Sequence, residues 1–264
     1  MKVLHVCFSN SGGGAAKAAY RLHQGMLAEG VESNLLVAQK QGDDPTVIGP
    51  SSKLRRLFYL FIGSVSRLIL SFQNSRNPIY HSVNISPTFL HAVIDKFEAD
   101  IVNLHWINDE MMSIAEIGKI KTPIVWTLHD SWAFCGAEHH AAIGDVRYKE
   151  GYSSGNRPSE YGGPDIDRWT WKRKLKHWRL QRFIINAPSR WLAEQASSSK
   201  LFKQRMVTNI PNGINLSTFS PFPKTIARKR FGIPEDKSII LIGSIGAMND
   251  PNKGYDLIQT TLSE

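Results

Sequence analysis

The chain has 264 residues, 42% of them hydrophobic and 21% charged, a globular composition that excludes a disordered chain. Lysine and arginine total 32 against 23 acidic residues, and the formal charge of +9 points to an anionic partner: nucleic acid, anionic lipid or a phosphorylated substrate. Cys7 and Cys135 are too few for a disulfide-framed secreted fold.

Short apolar runs alternate with helix-length segments, the pattern of an α/β parallel sheet. Residues 2–8 read as a buried strand, 15–30 as a helix stopped by Gly30, and 33–38 as a second strand. Further strands are predicted over 101–104, 124–128, 183–187 and 206–210. Together they make a doubly wound, Rossmann-like sheet whose ligand crevice lies at the strands' carboxyl ends. Residues 130–167 carry no strand or helix signal, and a loop that long is usually functional or mobile. Residues 211–223, PNGINLSTFSPFP, resemble an inter-domain linker. Beyond it a helix over 226–231, a strand over 238–242 and a helix over 254–262 read as the start of a second α/β domain that is cut off. The expected division is therefore 1–216 and 217–264.

The opening MKVLHVCFSN has no signal-peptide pattern. No stretch reaches the roughly 18 uncharged apolar residues of a membrane span. The nearest, residues 57–72, is broken by Gly63, Ser64, Ser66 and Arg67. The expectation is a soluble cytoplasmic protein, with attachment to a surface left open.

The first predicted strand runs into Ser9-Asn10-Ser11-Gly12-Gly13-Gly14 and then a helix. Glycines let a ligand approach the backbone closely, and a helix amino terminus offers N–H groups and a positive dipole end to an anion. A ligand-binding turn is favoured over a bare tight turn. A P-loop is excluded because Lys17 is followed by Ala18, and NAD is disfavoured because the second strand ends in Val37-Ala38-Gln39-Lys40 without an acid. His105-Trp106 and His129-Asp130 fall at the carboxyl ends of predicted parallel strands, where the topology brings them toward the glycine loop. Structural and functional roles are balanced for this pair of histidines. His129, Cys135, Glu138, His139 and His140 match no spacing of paired zinc ligands, so no metal site is predicted there.

Two basic segments have competing readings. RWTWKRKLKHWRLQR, residues 168–182, could bind nucleic acid by phosphate contact and stacking. The favoured reading is an amphipathic helix with Trp171, Leu175 and Trp178 packed on the sheet. Residues 53–72, KLRRLFYLFIGSVSRLILSF, fit either a basic amphipathic helix on an anionic membrane or a core-facing helix.

These residues resemble a family, the retaining GT-B fold glycosyltransferases of family 4. The resemblance rests on SGGGAAKAAYRLHQGMLAEG, NLHW, VWTLHDSWAFCGAEHH, RWTWKRK, APSRWLAEQA, IPNGINLSTFSP and DPNKGYDLI, in that order along nearly the whole chain. It is nearest to bacterial polysaccharide and lipopolysaccharide enzymes of a colanic-acid-type branch. The resemblance implies transfer of a sugar from a nucleotide-sugar donor, with retention, to an oligosaccharide or lipid-linked acceptor. It implies a hexosyltransferase-type enzyme without metal or cofactor, the nucleotide-diphosphate sugar being a substrate. Gly12, Gly13 and Gly14 match the loop against the donor diphosphate and sugar, and His129 the cleft histidine that contacts the transferred sugar. Ser189, Asn212 and Gly213 match positions near the cleft and the domain crossover, and Lys253 the lysine on the donor phosphates. His105 and Asp130 join them as expected donor or acceptor contacts. Two departures stand out: Ala247 occupies the position of a family arginine, and the paired-glutamate motif lies beyond Glu264. Weak or absent transfer by this chain alone is therefore expected. The alternative is a noncatalytic basic module that binds nucleic acid or membrane.

Overall fold

The computed structural model describes residues 1–50, 53–75, 77–243 and 253–263. Its strands are β1 (Lys2–Ser9), β2 (Glu32–Gln39), β3 (Val47–Ile48), β4 (Ile101–Leu104), β5 (Ile124–Thr127), β6 (Phe183–Ala187) and β7 (Met206–Asn209). The helices are α1 (Gly14–Ala28), α2 (Lys53–Ser71), α3 (Leu90–Lys96), α4 (Ile114–Ile117), α5 (Arg147–Glu150), α6 (Ile166–His177), α7 (Arg190–Ser198), α8 (Lys224–Phe231) and α9 (Tyr255–Ser263).

The seven strands form one sheet, ordered β3-β2-β1-β4-β5-β6-β7, and every pairing is parallel. The fold is thus α/β and Rossmann-like, as the alternating pattern predicts. Successive residues of a strand face opposite sides of a sheet. Leu36 and Ala38 of β2 accordingly enter one core, with Leu4 and Val6 of β1 and Val102 and Leu104 of β4. Leu35 and Val37 enter a second core with Cys7, Val47 and Ala19. Both faces are buried, which is why the strands read as continuous apolar runs. Helix α1 presents Ala16, Ala19 and His23 inward at helical spacing, and the two alanines let it lie close. It ends before Gly30, whose φ of 75° suits glycine.

The chain divides into two compact units, Met1–Asn215 and Leu216–Glu264. The first holds the sheet. The second holds α8 and α9, and residues 238–243 form no strand. That expectation is corrected for a simple reason: among the described residues of this unit there is no other strand to take up the ladder hydrogen bonds.

Two further expectations change. Residues 130–167 are not an open loop: Trp132, Phe134, Cys135 and Ala137 are 1% exposed or less, α5 lies within the segment and α6 begins at its end. In α6 the stripe facing inward is Ile166, Thr170, Trp171 and Lys174, followed by Trp178; Leu175 is exposed. Lys174 is buried because its Nζ donates to the carbonyls of Trp132, Cys135 and Gly136 and lies over the Trp132 ring. It ties the 132–136 turn to the helix. Trp171 and Trp178 are committed to the core, Trp178 edge-on to Trp126 and Phe183, so neither is placed to stack on a base.

Candidate functional site

In a sheet of this order the strand sequence reverses between β1 and β4, and ligands of such folds bind at the carboxyl ends beside that point. The chain after β1 and the chain after β4 stay paired beyond the strand ends, since His105 N–H donates to Val6 O at 2.9 Å and Phe8 N–H to Trp106 O at 2.7 Å. His105 and Trp106 are thereby fixed at the switch point. β5 pairs with β4 on its other side, which brings His129 next to His105.

The glycine loop opens at the same edge. Gly12 has φ 95°, a conformation that favours glycine, and Gly13 is the N-cap of α1 without a side-chain cap. A Cβ on Gly12, Gly13 or Gly14 would meet nothing within 4 Å, and no acidic residue lies in the first turn. The amino terminus of α1, the positive end of its dipole, is therefore uncrowded at these glycines and without a side-chain cap.

Three histidines run in a line from the core to this edge. His5 Nδ1 lies 3.2 Å from His105 Nε2, and His105 Nδ1 lies 3.0 Å from His129 Nε2, with the last two rings stacked. His5 and His105 are buried and His129 is partly exposed. Burial pushes His129 down to about 4 and, helped by the nearby His23, His5 to about 3. Burial, with the His129 and His5 rings alongside, holds His105 well below its ordinary value. All three are neutral at pH 7, so each ring has one donor and one acceptor nitrogen.

The direction of the line follows from its inner end. His5 Nε2 is buried without a partner. An orphaned N–H is rarer than an unsatisfied acceptor, so that nitrogen is the bare one and the proton sits on Nδ1. His5 then donates to His105, His105 to His129 Nε2, and His129 is left with its proton on Nδ1. The line ends at the partly exposed ring as a hydrogen-bond donor.

Asp130 follows a different rule. Its Oδ2 accepts from Trp106 Nε1 at 2.9 Å and from His139 Nδ1 at 2.6 Å, and its Oδ1 from the Trp132 amide at 3.0 Å. Burial alone would raise this carboxyl; His139 beside it and these bonds hold it below the usual carboxylate range. His139 Nε2 meets Ser82 Oγ and Asn108 Nδ2, each at 2.9 Å. The Ser82–His139–Asp130 order has the outline of a nucleophilic triad, but Ser82 is 4% exposed and Asn108 shares the same imidazole nitrogen. It is a closed network that braces the chain after β5.

The remaining expected residues are not all gathered here. Ser189 caps α7, accepting from Leu192 N–H at 3.2 Å, and Asn212 and Gly213 are exposed in irregular chain. Lys253 is exposed and belongs to the second unit; Ala247 lies outside the described residues. The five residues weighed as zinc ligands diverge: Cys135 is buried, His139 faces Asp130, and Glu138 bonds Tyr152. His5, Ser82 and Asn108 carry no motif in the sequence, and His139, though inside VWTLHDSWAFCGAEHH, is assigned no role by it. The one signal for His5 is a histidine inside an apolar first strand. Beside the strand ends, a pocket is lined by Phe8, Gln39, Tyr59, Arg67, Tyr80 and Asp109, joining the sheet edge to α2.

Among solved structures, Anabaena Alr3699/HepE in complex with UDP and glucose aligns with 88% of this chain and 50% of that chain, at 13% identity and a TM-score of 0.45. The Bordetella bronchiseptica enzyme WbmH in complex with NAD+ aligns with 71% of this chain and 55% of that one, at 9% identity and a TM-score of 0.34. The chain spans about half the length of the solved structures it matches. No curated protein sequence matches it. The family described as Glycosyltransferase Family 4 matches residues 12–218, well over half of the sequence, and the chain belongs to that family.

Proposed function

We propose that this chain supplies the acceptor-side half of a GT-B glycosyltransferase that moves a sugar from a nucleotide-diphosphate donor, with retention, to a polysaccharide or lipid-linked acceptor. The observation that carries the reading is the meeting of an uncapped helix amino terminus with a histidine donor at one switch point. The α1 N–H groups take the diphosphate, where negative charge grows as the glycosidic bond breaks. Gly12 and Gly13 leave the room a sugar diphosphate needs. His129 Nδ1–H donates to a hydroxyl of the transferred sugar. Lys253 is assigned to the donor phosphates on family resemblance, as are Ser189, Asn212 and Gly213 to the cleft. Asp130 already accepts three hydrogen bonds and is a poor base, which favours retention with a donor phosphate oxygen taking the acceptor's proton. The diphosphate charge is met by N–H groups and lysine, so the transfer is assigned no metal.

The test is transfer by a complete enzyme that carries this half, from a panel of labelled nucleotide sugars to extracted lipid-linked and oligosaccharide acceptors. Product that keeps the donor's anomeric configuration supports the reading. Inverted product would remove retention, and no binding of any nucleotide sugar would remove the donor assignment.

A membrane-side acceptor is supported by α2. No helix among the described residues is long and apolar enough to cross a membrane. Yet α2 exposes Leu57, Phe58, Phe61 and Leu68, with Phe72 just beyond its end, while Ser66 is buried and bonds Glu110 at 2.8 Å. Arg67 is exposed beside the apolar face; the side chains of residues 53–56 and 60 lie outside the described set. The helix fits peripheral attachment to anionic membrane, with the neighbouring pocket over the acceptor. Vesicle co-sedimentation should rise with anionic lipid and fall with salt. Indifference to anionic vesicles at low salt would remove the membrane from the mechanism.

A further inference from the structure

His81, Glu138 and Asp167 come from three separate stretches of chain and each turns one ligand-type atom into a common point. His81 Nε2, Glu138 Oε2 and Asp167 Oδ1 have no hydrogen-bond partner, although Glu138 and Asp167 are only 3% and 4% exposed. The three residues' ligand atoms lie within 4.8 Å of one another. On each residue the other polar atom is held from outside. His81 Nδ1 donates to the Ile79 carbonyl, Gln73 Nε2 donates to Asp167 Oδ2 at 2.9 Å, and the Tyr152 hydroxyl donates to Glu138 Oε1. Because a carbonyl only accepts, His81 Nδ1 carries a proton, and Nε2 is the ring atom turned toward the two carboxylates. Gly136 leaves room beside the cluster, for a Cβ there would meet Glu138 Oε2 at 2.6 Å.

Two carboxylates and an imidazole buried against one another need positive charge between them, from a cation or from protons. We propose that His81, Glu138 and Asp167 bind one divalent transition-metal ion of the zinc class as a structural pin. One imidazole and two carboxylates form a mixed N/O donor set that suits zinc, and the two carboxylates balance its charge. Bonds of about 2.0–2.2 Å put tetrahedral ligand atoms roughly 3.3–3.6 Å apart. The His81 Nε2 to Asp167 Oδ1 separation is 3.6 Å, too long for a hydrogen bond and right for two ligands of one ion. Ile79, Gln73 and Tyr152 orient the ligands as outer partners of metal-bound imidazole and carboxylate do. The ion joins the segment before β4, the chain after β5 and the first turn of α6. It fixes Glu138 next to His139, whose network braces the edge that carries His129.

The test begins with the chain stripped by chelator and dialysed. Zinc is then titrated against a chromophoric competitor, with bound metal per chain counted by mass spectrometry and melting followed by calorimetry. One zinc ion per chain and a raised melting temperature are expected, with magnesium giving neither. His81→Ala and Glu138→Gln should abolish the uptake. Gln73→Ala and Tyr152→Phe keep all three ligands and should weaken it by about 10–100-fold. This graded loss decides the matter should either ligand variant fail to fold. Wild-type chain that takes up no zinc would overturn the proposal and leave protons as the source of charge. Uptake unchanged in Tyr152→Phe and His81→Ala would overturn it equally, by placing the metal elsewhere.

Discussion

Two histidines lie near each other at the carboxyl edge of the sheet, His129 after β5 and His139 ten residues on, and their surroundings differ in kind. Every polar atom of His139 is taken: Asp130 holds Nδ1, while Ser82 and Asn108 hold Nε2. His129 is held from one side only, by His105, and its ring is partly exposed. A saturated network holds chain in place, whereas a line with one end at the surface passes a fixed donor to whatever sits there. Both contain buried imidazoles beside hydrogen-bonding groups, so proximity alone does not separate structure from chemistry. The unfilled valence does.

Removing each histidine should therefore have opposite consequences. His139→Ala leaves the half-buried Asp130 carboxylate with only its Trp106 and Trp132 donors and should cost about 1.5–3 kcal/mol of stability, read from denaturant unfolding. Loss of activity would follow from loss of fold. In a complete enzyme carrying this half, His129→Ala should melt near wild type while transfer falls on the order of a hundred-fold, the effect of a hydrogen bond made mainly in the transition state. The comparison breaks if the two phenotypes are exchanged.

Acid should expose the line as a whole. His5, His105 and His129 are neutral in the fold but take protons near pH 6.5 once unfolded. Below that pH the unfolded state binds more protons than the native one. Stability that is complete above pH 6.5 is then lost as the pH falls toward 4, by up to about 1.4 kcal/mol per pH unit for each histidine. A melting temperature that stays flat from about pH 7 to pH 5 would mean the rings are already charged in the fold. The smallest effect belongs to the glycine loop. Gly13 has φ −78° and open space around it, so Gly13→Asp should cap α1 and add a few tenths to about 1 kcal/mol. In a complete enzyme carrying this half, the same carboxylate would repel a diphosphate bound as proposed at α1, raising the donor KM about tenfold at low salt. Gain in stability with loss of binding is the expected pair; a donor KM that does not move would place the diphosphate elsewhere.

Much of the sheet was legible because buried parallel strands are written as apolar runs. Residues 101–104 and 183–187 match β4 and β6 residue for residue. His105 and His129 could be singled out because a strand end in a parallel sheet is a fixed place. His5 could not, since its role depends on β1 lying beside β4, across 100 residues of sequence. Leu175, expected on the packed face, is exposed and Lys174 is buried in its stead, since three carbonyls of the 132–136 turn satisfy the ammonium inside. Residues 130–167 looked structureless for a related reason: their order comes from Trp132, Phe134 and Tyr152 packing and from side-chain bonds, not from a period. The 238–242 strand failed in the other direction, an apolar run without a described partner strand.

The central claim is that the line His5–His105–His129 delivers an Nδ1–H donor at the edge of the sheet. It is tested most directly by nitrogen-15 NMR of histidine-labelled protein at pH 7, with His129 assigned through His129→Gln. The account predicts a neutral His129 ring with Nδ1 in the N–H range and Nε2 in the unprotonated range, unchanged down to about pH 5. A ring protonated on Nε2 alone, or on both nitrogens at pH 7, would contradict it.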